Sequence, residues 1–205
     1  QLTRHWNHEQ RPASEAELTH IANHALRDFS DRPNVDLFWR TRLMNGLTYV
    51  NGLEHERRDD ISAAASEDTI EGALGEVTLY GRIDRVEQHP QGSVIVDYKT
   101  GKAPREKEIA DGRALQLLTY AMLVRERDSA TPLAAIEYWA LPRIGTQGDI
   151  TRIEDAAMNL DDMAQKLREA FSHLLAPATP FLATGRDERY GNDYDGISRY
   201  DEWAG

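Results

Sequence analysis

The chain has 205 residues, 40% of them hydrophobic, which suits one domain with a real core rather than two. It contains no cysteine, which excludes disulfides, cysteine-ligated zinc and iron–sulfur clusters and fits a reducing, cytoplasmic setting. Its formal charge of −11 argues against a surface that grips nucleic acid all over, and no run of about 18 apolar residues is present to cross a membrane.

The chain begins at Gln1 rather than at a methionine, which reads as a piece of a longer protein or a processed product. Its opening QLTRHWNHEQRP lacks the apolar centre of a signal peptide. SEAE, from Ser14 to Glu17, is a capping-box pattern and predicts a helix to about residue 29, with Leu18, Ile21, Ala22, Ala25, Leu26 and Phe29 as its apolar stripe. Asn34 is placed to cap a longer helix through residue 57, in which Leu37, Met44, Leu47, Val50 and Leu53 recur at helical spacing; Phe38 and Trp39 are expected in the core. DDISAAASED, residues 59–68, reads as a polar loop. Residues 69–74, 77–86 and 93–98 then read as strands, broken by Gly75 and by HPQG. Residues 106–127 read as one helix and 135–141 as a strand carrying Tyr138 and Trp139. TRIE, residues 151–154, is a second capping-box pattern predicting a helix to about residue 175. The tail from Ala176 is irregular and acidic. The order is that of a single mixed α/β domain.

Charge is uneven along this order. Residues 59–76 hold six acids and no base, whereas residues 99–113 hold five bases against three acids, a segment able to meet a polyanion or simply to sit in solvent. Between the two segments lies GRIDRVEQHPQGSVIVDYKTG. If HPQG is a four-residue turn with Pro90 supplying its fixed φ, paired residues sum to 181, which sets Asp84 opposite Asp97 and Arg82 opposite Lys99. Lys99, two residues after Asp97, shares its face. Two carboxylates so placed need a counter-charge. Lys99 and Arg82 could supply it as an ion-pair cluster, or a divalent cation such as Mg²⁺ could, with the lysine positioning a water for attack on a phosphate. The next helix carries ALQLLTYAML, with Gln116 and Tyr120 four apart on one face, placed either to satisfy backbone groups or to face the carboxylates.

Taken together, G-x-I-D-R, D-Y-K-T-G and Q-x-x-x-Y in this order resemble the PD-(D/E)xK nuclease superfamily in its RecB-like branch. VDLFWRTRLMNGLTYVNGLEHERR and the terminal YGNDYDGISRYDEWAG further resemble the C-terminal nuclease domain of AddB-type helicase–nuclease subunits. The resemblance implies a restriction-endonuclease-like mixed sheet flanked by helices. It also implies a Mg²⁺-dependent deoxyribonuclease, with Mn²⁺ as a substitute, acting as an exonuclease in double-strand-break repair beside a helicase–nuclease partner subunit. Asp84, Asp97 and the Tyr98 carbonyl would bind the metal, Lys99 would orient or deprotonate the water, and Gln116 and Tyr120 would support the site or touch the DNA backbone.

The chain departs from that pattern at the early histidine segment H-x-x-L-x-x-F, where NHALRDF has Asn23 in the histidine position and His20 and His24 nearby. Either one of these takes the role or the true segment lies upstream of Gln1. Glu71 and Glu76, ahead of Asp84, are expected to be bystanders. The missing histidine and the net charge motivate an alternative: a catalytically incomplete nuclease fold that holds DNA or serves as a scaffold.

Overall fold

The computed structural model describes residues 1–29, 33–128, 130–143 and 145–179. The terminal YGNDYDGISRYDEWAG lies outside them. The elements in order are α1 (Leu2–Glu9), α2 (Glu15–Leu26), α3 (Pro33–Arg57), β1 (Ala63–Leu74), β2 (Val77–His89) and β3 (Gly92–Lys99). They continue with α4 (Glu106–Ala110), α5 (Leu115–Arg127), β4 (Leu133–Ala140), β5 (Asp149–Glu154), α6 (Asp155–Met158) and α7 (Leu160–Leu175). The five strands form one sheet in the order β1-β2-β3-β4-β5. Its pairs are antiparallel except β3–β4, which is parallel with α4 and α5 in the crossover. This is the mixed sheet flanked by helices expected of a restriction-endonuclease-like α/β domain.

Each face of the sheet is covered for a reason legible in strand periodicity. Ile95 on β3 and Ile136 on β4 pack with Ile83 of β2 against Leu117, Leu118 and Ala121 of α5, in the main core that α7 closes with Leu160 and Ala164. The alternate residues Val94 and Val96, with Trp139, face the other way onto Val50 and Leu53 of α3. Buried on both sides, β3 and β4 therefore read as almost continuous apolar runs.

The local signals behave unevenly. At α2 the capping box forms: the Ser14 N–H donates to Glu17 Oε2 at 2.7 Å and the Glu17 N–H to Ser14 Oγ at 3.4 Å. The turn of the β2–β3 hairpin spans Pro90 and Gln91, with His89 paired to Gly92. Gly92 has φ 131°, and a Cβ there would lie 2.1 Å from the Pro132 carbonyl oxygen, so only glycine lets β3 start beside the β4 entry.

Five expectations fail. TRIE is not a cap but strand β5: Thr151 pairs with Tyr138 and Ile153 with Ile136, so cross-strand partners take up the backbone groups a helix start would have used. Part of the supposed loop at 59–68 is strand, because Ala63 to Ser66 pair with Gln88 to Arg85; the alanines carry little strand preference and β2 supplies the pairing. The helix expected across 106–127 is two, interrupted at Gly112 with φ 69°. Finally, α1 appears where no element was predicted, anchored by buried Leu2 and Trp6, and Phe38 and Trp39 stand 49% and 46% exposed rather than in the core.

Candidate active site

The two aspartates sit where the sheet changes its rule. On β2, Gly81 and Ile83 face α5, whereas Arg85 and Glu87 face α3, where they meet Glu54 and Arg57. Residues two apart ought to share a face, so the strand turns over between Ile83 and Arg85. Asp84 is the residue in between. The β1–β2 pairing passes from Asp68–Ile83 to Ser66–Arg85 without it, and Glu67, the residue it skips on β1, has φ 59°. The β2–β3 register follows the sum of 181 from His89–Gly92 to Arg85–Val96, where the ladder ends. Asp84 is thus not a ladder partner of Asp97. Instead its Oδ2 accepts the Tyr98 backbone N–H at 3.0 Å, taking the place of a strand carbonyl. Nor does Arg82 oppose Lys99: it pairs with Thr69, and its Nε lies 2.7 Å from Glu67 Oε2 at the surface.

Lys99 does hold the predicted place on the face of Asp97. Its Nζ lies 2.7 Å from Asp97 Oδ2 and donates to Gln116 Oε1 at 2.9 Å. The ammonium also sits 5.5 Å from the centroid of the Tyr138 ring, a cation–π contact. Tyr138 gets there because it is the β4 register partner of Asp97. Asp97 itself is only 4% exposed. Burial pushes its carboxyl above the usual range; Lys99 pulls the other way, and the nearby charge of Asp84 pushes further up. The partner of the buried Asp97 Oδ2 is the Lys99 ammonium.

Gln116 and Tyr120 both face the hairpin from α5, but to different ends. Gln116 reaches Lys99. Tyr120 lies against Gly81, where a Cβ would come 2.5 Å from its Cε1. The glycine of GRIDR is therefore the seat of this tyrosine. The early histidines do not join the site: His20 and His24 are exposed on α2, with His24 Nδ1 2.9 Å from Gln1 Nε2. Asn23 Oδ1 instead accepts a hydrogen bond from Arg40, tying α2 to α3. Glu71 and Glu76 are exposed. Among the described residues no three His, Cys, Asp or Glu side chains gather as a metal cage.

Asp84 opens onto a cleft of about 490 Å³ between α2, α3 and the strand ends, lined also by Glu67, Tyr98, Thr100, Trp39 and Arg42. Glu67 and Tyr138 are the neighbours that sequence reasoning missed. Glu67 counted only as one of an acidic run, and Tyr138 only as a residue of the strand expected at 135–141.

A mixed sheet with two neighbouring aspartates and a lysine where a parallel strand ends is the layout of a nuclease-type α/β domain. The chain belongs to the PD-(D/E)XK nuclease superfamily, whose family model matches residues 2–188. No curated protein matches the chain. One solved structure, that of SSO0001, covers 87% of this chain and 95% of its own at 15% identity with a TM-score of 0.33, a likeness too loose to carry any conclusion. Nucleases of this superfamily typically use divalent metals. Among the described residues, no helix is long and apolar enough to cross a membrane.

Proposed function

We propose that the chain is a Mg²⁺-dependent deoxyribonuclease of the RecB-like branch, similar to the nuclease domain of AddB-type subunits. In this reading it works in the cytoplasm as an exonuclease beside a helicase–nuclease partner in double-strand-break repair. One observation carries it: Lys99 is held between Asp97 and Gln116, next to an aspartate released from the sheet ladder.

The donors suit a hard cation. Asp97 is buried with the Lys99 ammonium as its ion-pair partner, Asp84 lies close enough for its charge to act on it, and Mg²⁺ is commonly held by one or two carboxylates, with waters and phosphate oxygens completing the shell. Asp84, Asp97 and the Tyr98 carbonyl would hold Mg²⁺ or Mn²⁺. A cation bound there supplies Lewis-acid polarisation of the phosphate and a water of lowered pKa. The protein's own part is positional. Gln116 fixes the Lys99 ammonium, which orients the attacking water and stabilises charge developing on the phosphoryl oxygens. Tyr120, seated on Gly81, shapes the α5 wall of the site. Asp84 has no ladder partner, and with its Oδ2 on the Tyr98 N–H its other carboxylate oxygen would face a ligand.

A second reading, a DNA-holding or scaffold domain with an incomplete site, draws on the exposed positions of His20 and His24 and on the lack of a three-residue cage among the described residues. Cleavage of linear single- and double-stranded DNA by the wild type and by Lys99→Ala, with Mg²⁺ or Mn²⁺, decides between them. The nuclease reading expects cutting that needs the metal and drops at least about a hundredfold in Lys99→Ala. Folded wild type that neither cuts nor binds Mn²⁺ by calorimetry leaves the scaffold reading.

A further inference from the structure

The exposed aromatic pair on α3 has no role in the core, and a Trp left half in water forgoes a large burial gain. Trp39 is 46% exposed and stands edge-to-face with Phe38, ring centroids 5.7 Å apart at 84°. Arg42, one turn on, sets its guanidinium 5.4 Å from the Trp39 centroid. Its Nη2 also donates to the Thr100 carbonyl at 2.7 Å. That contact fastens the rim of α3 to the residue that follows Lys99. Trp39, Arg42, Leu43 and Gly46 fall on one helical face and line the same 490 Å³ cleft as Asp84 and Glu67.

We propose that Trp39 and Arg42 form a stacking subsite for one unpaired nucleobase, placed beside the carboxylates so that the base and the phosphate being cut belong to neighbouring nucleotides. The proposal rests on the nuclease reading and adds a residue set to it. The chemistry of the cleft selects the occupant. The Asp84 carboxylate lining it repels a free anion but accepts a phosphate joined to a bound cation, while Trp39 offers a π-face and Arg42 a guanidinium plane. A ring tethered to a phosphodiester fits both. In size the cleft matches small-ligand sites, about 300–1,000 Å³, and a base inside a duplex is stacked and paired and cannot enter it. Aromatic and arginine planes are the platforms on which unpaired bases stack without sequence preference.

The test uses the 205-residue chain in Ca²⁺ with Lys99→Ala as background, so that the DNA stays intact. Fluorescence anisotropy reads binding of labelled oligothymidylate, of the same strand with single abasic positions, and of a blunt hairpin duplex. Trp39→Ala and Trp39→Leu are each expected to weaken single-strand binding about 5- to 150-fold, the range of one base stacked on an aromatic, and to leave duplex binding unchanged. Trp39→Phe restores most of the loss. One abasic position costs the Trp39 protein a similar factor and costs Trp39→Leu nothing. Equal binding by Trp39 and Trp39→Leu, or equal losses on duplex and single strand, overturns the subsite while metal-dependent cleavage by wild type leaves the nuclease reading standing. Wild type that neither cuts nor binds DNA overturns both.

Discussion

At the scale of single residues the site is a compromise centred on Asp97. The folded state holds this carboxyl above its ordinary range, chiefly by burial. The sign follows from linkage: folding favours the protonated form, so ionising Asp97 costs stability as pH rises past the ordinary carboxylate value, and at neutral pH the full cost is present. Asp97→Asn is therefore expected to raise Tm at pH 7, with the gain shrinking as pH falls through the raised titration and gone below the ordinary value of 3.8, while losing metal binding and cleavage. Thermal unfolding by circular dichroism, paired with Mn²⁺ calorimetry, checks both halves. An unchanged or lower Tm at pH 7 would show that Lys99 fully compensates the buried charge. Metal binding competes with the same proton, so wild-type affinity for Mn²⁺ is expected to rise with pH across the raised titration of Asp97. Gln116→Ala frees the lysine it holds; it is expected to lower kcat with little effect on Tm, since Gln116 is exposed.

At the scale of elements, close approaches by two glycines separate stability from activity. Gly92→Ala would drive a Cβ into the Pro132 carbonyl oxygen, a backbone atom that cannot swing away, at a φ disfavouring any side chain. A loss of about 2–4 kcal/mol and a Tm lower by roughly 5–15 °C are expected. Gly81→Ala meets the Tyr120 ring instead, and a half-buried ring can turn aside. The expected result is a small stability change with a clear drop in cleavage, measured as kcat against Tm for the two variants side by side. The sequence makes such local relations legible where the partners are close along the chain. The HPQG turn sets the hairpin register, Asp97 and Lys99 share a face by periodicity, and Gln116 and Tyr120 share one by helical spacing. Partners supplied by sheet pairing from far along the chain stay hidden: Tyr138 reaches Lys99 only through the parallel β3–β4 register, and Glu67 reaches the Asp84 cleft only through β1. The turnover of β2 at Asp84 is hidden for another reason. Alternation in GRIDRVE looks regular as letters, and the switch of faces appears only when Arg85 finds Glu54 on α3. TRIE shows the converse, a local cap signal overruled by cross-strand partners.

At the scale of the whole molecule, the sheet carries opposite electrostatic characters on its two faces. The α5 face holds Asp97 and Lys99, where a buried carboxylate is disfavoured, while Asp84 opens onto the cleft beside α3. The α3 face holds a buried ion network that ties together α3, β2, β4 and β5. Arg57 reaches Glu87 at 2.7 Å and Glu137 at 2.8 Å, Arg152 reaches Glu137 at 2.6 Å, and Arg85 pairs with Glu54 and with Glu87 at 2.8 Å. The second arginine of GRIDR therefore belongs to the frame and not to the reaction. Burial alone would push Glu87 up, but His89, Arg85 and Arg57 together hold it down to about 2. A depressed carboxyl contributes stability that is present above its unfolded value of 4.5 and lost as pH falls toward about 2, the reverse of Asp97. Glu87→Gln leaves Arg85 and Arg57 buried without their shared anion, so at pH 7 it is expected to destabilise by about 3–5 kcal/mol. Its stability should then change less between pH 4.5 and 2 than that of wild type, because the titration responsible is gone. Urea unfolding at several pH values in that window reads both slopes. Parallel slopes would mean that the acid sensitivity of the fold resides in other carboxylates, and that the network holds the strands in place without setting their pH limit.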